Sequence, residues 1–158
     1  MKKEFTYAEL HNKAVTSYHK MMMSFLFIAL LNFIGAIMGT IRRDTSYFPC
    51  LVSNSLLFNL VSNYIENIIL LTVVNSAISL AFSAIFMVIW WMTKSGKIKA
   101  IIVGSGFYLI DTILLFIFYF HDSYLIPQLL LHILMMVFIA VGIANYYHIF
   151  EIERKFKK

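Results

Sequence analysis

Charge is what this chain has least of. Of its 158 residues only 13% are Asp, Glu, Lys or Arg, against 61% hydrophobic and 16% aromatic, with a mean hydropathy of +0.80. A water-soluble domain of this length could not cover so much apolar surface with so few charges, so a soluble globular protein is excluded and the solvent is lipid. Cysteine is nearly missing as well. The single Cys50 permits no internal disulfide and no dithiol centre, which excludes membrane thiol oxidoreductases. A cleavable signal peptide is not expected, because the polar lead-in is long, contains Glu4 and Glu9, and no small-x-small site closes the first apolar run.

What charge there is lies in few places. Lys2, Lys3, Lys13 and Lys20 precede the first apolar run, Lys94, Lys97 and Lys99 fill one short connection, and Arg154, Lys155, Lys157 and Lys158 form the tail. Eleven basic residues thus share one side and only Arg42 and Arg43 the other, an asymmetry that predicts cytoplasmic N- and C-termini in a multi-pass cell-membrane protein. The net charge of +5 and pI near 9.3 therefore reflect topology and contact with anionic lipid; no nucleic-acid motif accompanies them. The lysine excess over arginine and the heavy use of isoleucine hint at an AT-rich bacterial genome.

Four apolar runs give the fold class: all-α, a polytopic up-down bundle of four transmembrane helices in a single domain, with an outer amphipathic segment. Residues 1–20 read as a cytoplasmic amphipathic lead-in, with Tyr7, Leu10, Ala14 and Tyr18 on one stripe and His11 and His19 solvated. The first crossing, 21–39, ends in Gly35 and Gly39, a small-xxx-small pair that predicts a close helix contact within the bundle or in a homodimer. Residues 40–66 form the outer segment, with a polar knee at Arg42, Arg43 and Asp44 and a break at Pro49. There Leu57, Leu60, Val61, Tyr64 and Ile65 share one helical face and Ser55, Asn59, Ser62 and Glu66 the other, as expected of a helix on the outer leaflet or capping the bundle.

The second crossing, 67–92, carries a polar stripe of Asn75, Ser79 and Ser83 and closes on Trp90-Trp91 at the membrane border. The third and fourth, 99–120 and 125–149, form a hairpin around His121-Asp122-Ser123-Tyr124, with Pro127 in the first turn of the last helix and a solvated tail over 150–158. The third crossing bears one acid, Asp111, and the fourth one intramembrane histidine, His132. Counted inward from the outer ends, Asn32, Asn75, Asp111 and His132 all fall roughly 11 to 14 Å below the surface. One polar residue per helix at one depth predicts a central polar layer, with Asp111 and His132 in contact.

Such a layer has a structural and a functional reading. Interhelical hydrogen bonds contribute about 0.6 kcal/mol each and fix register. An intramembrane acid, however, costs on the order of 3 kcal/mol to insert, so Asp111 is also a candidate ligand or proton site. Catalysis is not expected. Aspartyl intramembrane proteolysis needs two acids, a zinc site needs paired histidines, and Ser79 or Ser83 with His132 and Asp111 lacks an oxyanion device. No metal or cofactor is implied.

The run Gly104-Ser-Gly-Phe-Tyr108-Leu-Ile-Asp111 after a short basic turn, followed by a last helix with His132 and Gly142, resembles small four-helix membrane proteins of low-GC Gram-positive bacteria over the last third of the chain. The resemblance implies no activity. The expected function is therefore a non-enzymatic binding or interaction subunit (accessory, immunity or assembly) meeting lipid and a membrane-protein partner or a second copy. The alternative is a small transporter or permeation pathway using Asp111 as a proton or cation site.

Overall fold

The computed structural model describes residues 6–42, 51–120 and 125–156, apart from the side chains at 36 and 39–42. Residues 1–5 of the lead-in, Arg43 and Asp44 of the expected knee, the break at Pro49, the turn at 121–124 and the last two lysines therefore lie outside the described residues, while Arg42 ends the first helix. The rest is helix: α1 (Tyr7–Arg42), α2 (Val52–Ser62), α3 (Ile68–Lys94), α4 (Ile98–Tyr119) and α5 (Leu125–Phe156). Four of these, all but α2, are long and apolar enough to cross a membrane. The protein is an all-α, multi-pass bundle.

Each helix begins where its sequence allows. Asn67 caps α3, its side chain accepting from the backbone N–H groups of Ile69 and Leu70 at 3.0 and 3.2 Å. Gly96, at φ +73°, turns the chain between α3 and α4, a conformation that a side chain would strain. Helix α1 packs most extensively against α3 and α5, and α4 closes the ring against the same two. Over their apolar spans the outward faces carry large hydrophobic side chains, as in Leu30, Val88, Ile110 and Leu134, which is the surface a lipid solvent requires.

Close approach occurs at glycines. A Cβ on Gly104 of α4 would sit 2.6 Å from Ile89 Cγ2 and 2.8 Å from Phe25 Cε1, and one on Gly142 of α5 would collide with Met22 Cε. These two glycines let the rings and thioethers of α1 reach the centre, where Phe25, Met22, Ile101 and Ile139 are essentially fully buried. Of the expected small-xxx-small pair, Gly35 is buried and Gly39 lies among the residues whose side chains are not described.

Two expectations give way where the two ends of the described chain meet. The lead-in is no separate interfacial helix: α1 runs unbroken for 36 residues, and Ala14 and Tyr18 are buried in the bundle. Nor is 150–156 a free tail. It continues α5, with Ile152 buried, and lies along the start of α1. The Tyr7 and Phe156 rings meet at 5.1 Å, and His11 Nε2 approaches Glu153 Oε1 at 3.4 Å, so His11 is paired and not simply solvated. The apolar stripe read as membrane-facing binds a neighbouring helix instead, which buries the same residues at the same period. Both described ends of the chain thus lie at one end of the bundle. There the Tyr18 hydroxyl also donates to Thr93 O at 2.6 Å, satisfying a carbonyl of the last turn of α3.

Candidate functional site

The polar residues of the bundle converge where α2 begins. Helix α2 has no acid in its first turn and no side-chain cap of its own at Leu51. Its first N–H groups are satisfied by other helices. Asp111 of α4 accepts from Val52 N–H at 3.0 Å through Oδ2 and from Ser53 N–H at 2.8 Å through Oδ1, and the Ser53 hydroxyl donates to the same Oδ1. Asn32 of α1 accepts from Leu51 N–H at 3.2 Å. A carboxylate on a helix N-terminus is favoured both by hydrogen bonding and by the helix dipole.

Asn32 ties the same point to α3. Its Nδ2 donates to Ser79 O at 3.0 Å and to Ser83 Oγ at 3.1 Å, while Asn54 of α2 donates to Ser79 Oγ at 2.6 Å. Ser79 lies eleven residues along α3 from Ile68, about 16 Å of helix, so α2 starts deep in the bundle and rises toward the start of α3.

That geometry corrects the expected outer segment. Leu51, Val52 and Asn54 are buried at 3, 2 and 4% exposure, whereas Leu57, Leu60 and Tyr64 of the expected docking face are exposed at 40, 57 and 82%. The helix enters the protein end-on, polar first turn inward. In lipid the rule for a soluble amphipathic helix inverts: unsatisfied backbone groups must be buried among partners, and apolar side chains are free to face outward.

On the other side of Asp111 stands His132 of α5. Its Nε2 lies 3.9 Å from Asp111 Oδ2, its Nδ1 lies 2.9 Å from Thr112 Oγ1, and its ring stacks on Tyr108 at 4.9 Å and 10°. Thr112 already donates its one hydroxyl proton to Tyr108 O at 2.8 Å, so it accepts from Nδ1–H, and the network assigns the titrating nitrogen to Nε2, facing the carboxylate. Two small hollows flank this point. One of ≈ 20 Å³ is lined by Leu51, Tyr108, Leu131 and His132, and one of ≈ 30 Å³ by Leu51, Ser53, Phe86, Phe107 and Asp111. Each has room for a water molecule and not for an organic ligand.

The expected layer is thus present in three of its four members. Asp111 and His132 come together as their matched depths predict, and Asn32 joins them through the α2 backbone. Asn75 is buried one turn outward of Ser79, and its Oδ1 has no partner among the described residues. What sequence reasoning missed is the hub: Leu51, Ser53 and Asn54, together with Thr112 and Tyr108. Ser53-Asn54 following a Pro-Cys break was the available signal, two polar residues at the start of a helix with no acid to cap it.

Ser79 and Ser83 bond to Asn54 and Asn32. Among the described residues no group of three His, Cys, Asp or Glu side chains comes together to hold a metal. The arrangement positions a helix, and it holds one carboxylate and one imidazole close together out of water. No family model, curated protein or solved structure matches the chain.

Proposed function

We propose that this chain is a non-enzymatic integral membrane subunit that works by binding, an accessory, immunity or assembly component whose contact surface is the outer end formed by α2 and the start of α3. The observation that carries this reading is the saturation of the one intramembrane acid. Asp111 is bonded to two backbone N–H groups and one hydroxyl of the same short helix. A carboxylate so engaged supports a fixed shape, and that shape presents Leu57, Leu60, Tyr64 and Ile69 outward. Facing a membrane-protein partner or a second copy, such residues supply the aromatic and aliphatic anchors of an interface. The basic residues Lys13, Lys20, Lys94, Lys97, Lys99, Arg154 and Lys155 support placing the end shared by the two chain termini in the cytoplasm, so the presented surface is extracytoplasmic.

A photoreactive phenylalanine analogue in place of Tyr64 or Leu60 tests the reading in cells. Cross-links to one defined membrane protein, or to a second copy, are expected; cross-links to lipid alone would overturn it. Reporter fusions after residue 158 and near Thr45 should report opposite sides, the first cytoplasmic.

The transporter reading has one observation in its favour: of the two water-sized hollows that share Leu51, one is lined by His132 and the other by Asp111. It calls for proton or cation flux in proteoliposomes that disappears in Asp111→Asn.

A further inference from the structure

We propose that Asp111 and His132 form a proton-binding site whose occupancy decides whether α2 is seated in the bundle. The proposal is independent of which partner α2 meets.

Asp111 holds α2 as an acceptor only. Oδ2 takes Val52 N–H, and Oδ1 takes Ser53 N–H and the Ser53 hydroxyl. Nothing else in α2 replaces it, because Leu51 offers no cap and the first turn has no acid. Uptake of one proton from the outer aqueous phase forms an O–H bond on the carboxyl. The charge that attracts the helix N-terminus is lost, and one acceptor oxygen becomes a donor with backbone donors in front of it. The first turn of α2 then keeps the Asn32 bond to Leu51 and the Asn54 bonds to Ser79 and Asn32.

His132 stands beside this carboxyl. With Nδ1–H committed to Thr112, its Nε2 faces Oδ2 at 3.9 Å. The hollow beside His132 has room for a water to pass the proton. No other ionisable group competes among the described residues at this point. From α4 there is Tyr108, stacked on His132; from α1 the neutral Asn32; from α2 the neutral Leu51, Val52 and Ser53; and from α3 the apolar Phe82, Ile85 and Phe86. The dependence has one sign. α2 is seated while the carboxylate is ionised and released as pH falls through its protonation.

The test uses the full chain with Cys50→Ser in phosphatidylcholine nanodiscs. Nitroxides on Leu60→Cys of α2 and Phe118→Cys of α4, both exposed positions, report their separation by pulsed electron paramagnetic resonance. One narrow distance is expected at about pH 7.5 and a broad, reversible distribution at about pH 4.5. Asp111→Asn, which mimics the protonated acid, should be broad at both. His132→Gln keeps a donor for Thr112 but removes the imidazole facing Oδ2, so the midpoint of release should move. A second label pair on Leu30→Cys and Val141→Cys should keep its distance throughout.

Wild-type distances that stay narrow in acid would overturn the proposal. So would a narrow distribution in Asp111→Asn, or acid broadening that also affects the second pair. Should Asp111→Asn fail to fold, Ser53→Ala takes its place: it removes one donor to the carboxylate and must also ease release, and an unchanged midpoint refutes the site. Lipid-only cross-links from Tyr64 would leave these distances untouched, so the partner reading and the proton site fail separately.

Discussion

At the end of the bundle shared by the two described chain ends, helices meet ring against backbone: Phe25 lies against Gly104, Met22 against Gly142, and a tyrosine hydroxyl closes the last turn of α3. At the opposite end they meet through amides and a carboxylate, with the first turn of α2 bonded at once to α1, α3 and α4. The contrast follows from what each half must bury. Where Phe25 meets Gly104 and Met22 meets Gly142 the helices are continuous and their backbone groups already paired, so shape decides how closely they approach. The opposite half contains a helix start at membrane depth, whose N–H groups find no water and must be given partners. Packing therefore holds one half and polar bonding the other, and the two should fail differently.

The largest expected effect is at the polar end. Asp111→Ala leaves two backbone N–H groups and the Ser53 hydroxyl without their acceptor, and should cost about 3 to 5 kcal/mol in thermal unfolding in detergent. Next comes the packed end. Gly104→Leu forces a side chain where even a Cβ would stand 2.6 Å from Ile89, an overpacking cost of about 1 to 3 kcal/mol. A double-mutant cycle with Asp111→Asn and His132→Gln should give a coupling above about 0.5 kcal/mol, whereas additivity would show that the two do not interact. The smallest effect is expected at the half-exposed pair near the described chain ends, where Glu153→Gln should change stability by less than about 1 kcal/mol. Were Gly104→Leu to loosen α2 as strongly as Asp111→Ala does, the division between the halves would be false.

How much of this the sequence discloses depends on the range of the interactions involved. The four crossings are written in hydropathy, a local property, and so is the turn chemistry of Asn67 and Gly96. The Asp111–His132 contact is legible because a short hairpin fixes the relative depth of the two residues. The seat of α2 is not. Val52 and Asp111 lie 59 positions apart, and no periodicity within 50–66 indicates that a carboxylate elsewhere will cap it. The amphipathic pattern there misled because it is read against water, while the helix is solvated by lipid outside and by Asn32, Ser79 and Asp111 inside. The lead-in misled for a related reason, since a stripe with Ala14 and Tyr18 has the same period whether it meets headgroups or α5. Asn75 shares the depth of the layer yet stays unjoined to it, because depth fixes height along a helix and not direction around it.

The distance along the chain between Val52 and its cap also orders events in time. A ribosome releases residues from the N-terminus onward, so α2 and α3 reach the membrane before Asp111 does. During that interval α1 and α3 can pair, and Asn32 can reach Ser79 and Ser83, but the first turn of α2 has no carboxylate to receive it. The helix becomes rooted only when α4 has entered the membrane with Asp111 at the right height. A chain truncated before residue 111 should therefore insert its early helices and still leave α2 unmoored, which makes the third long helix the step that completes the second.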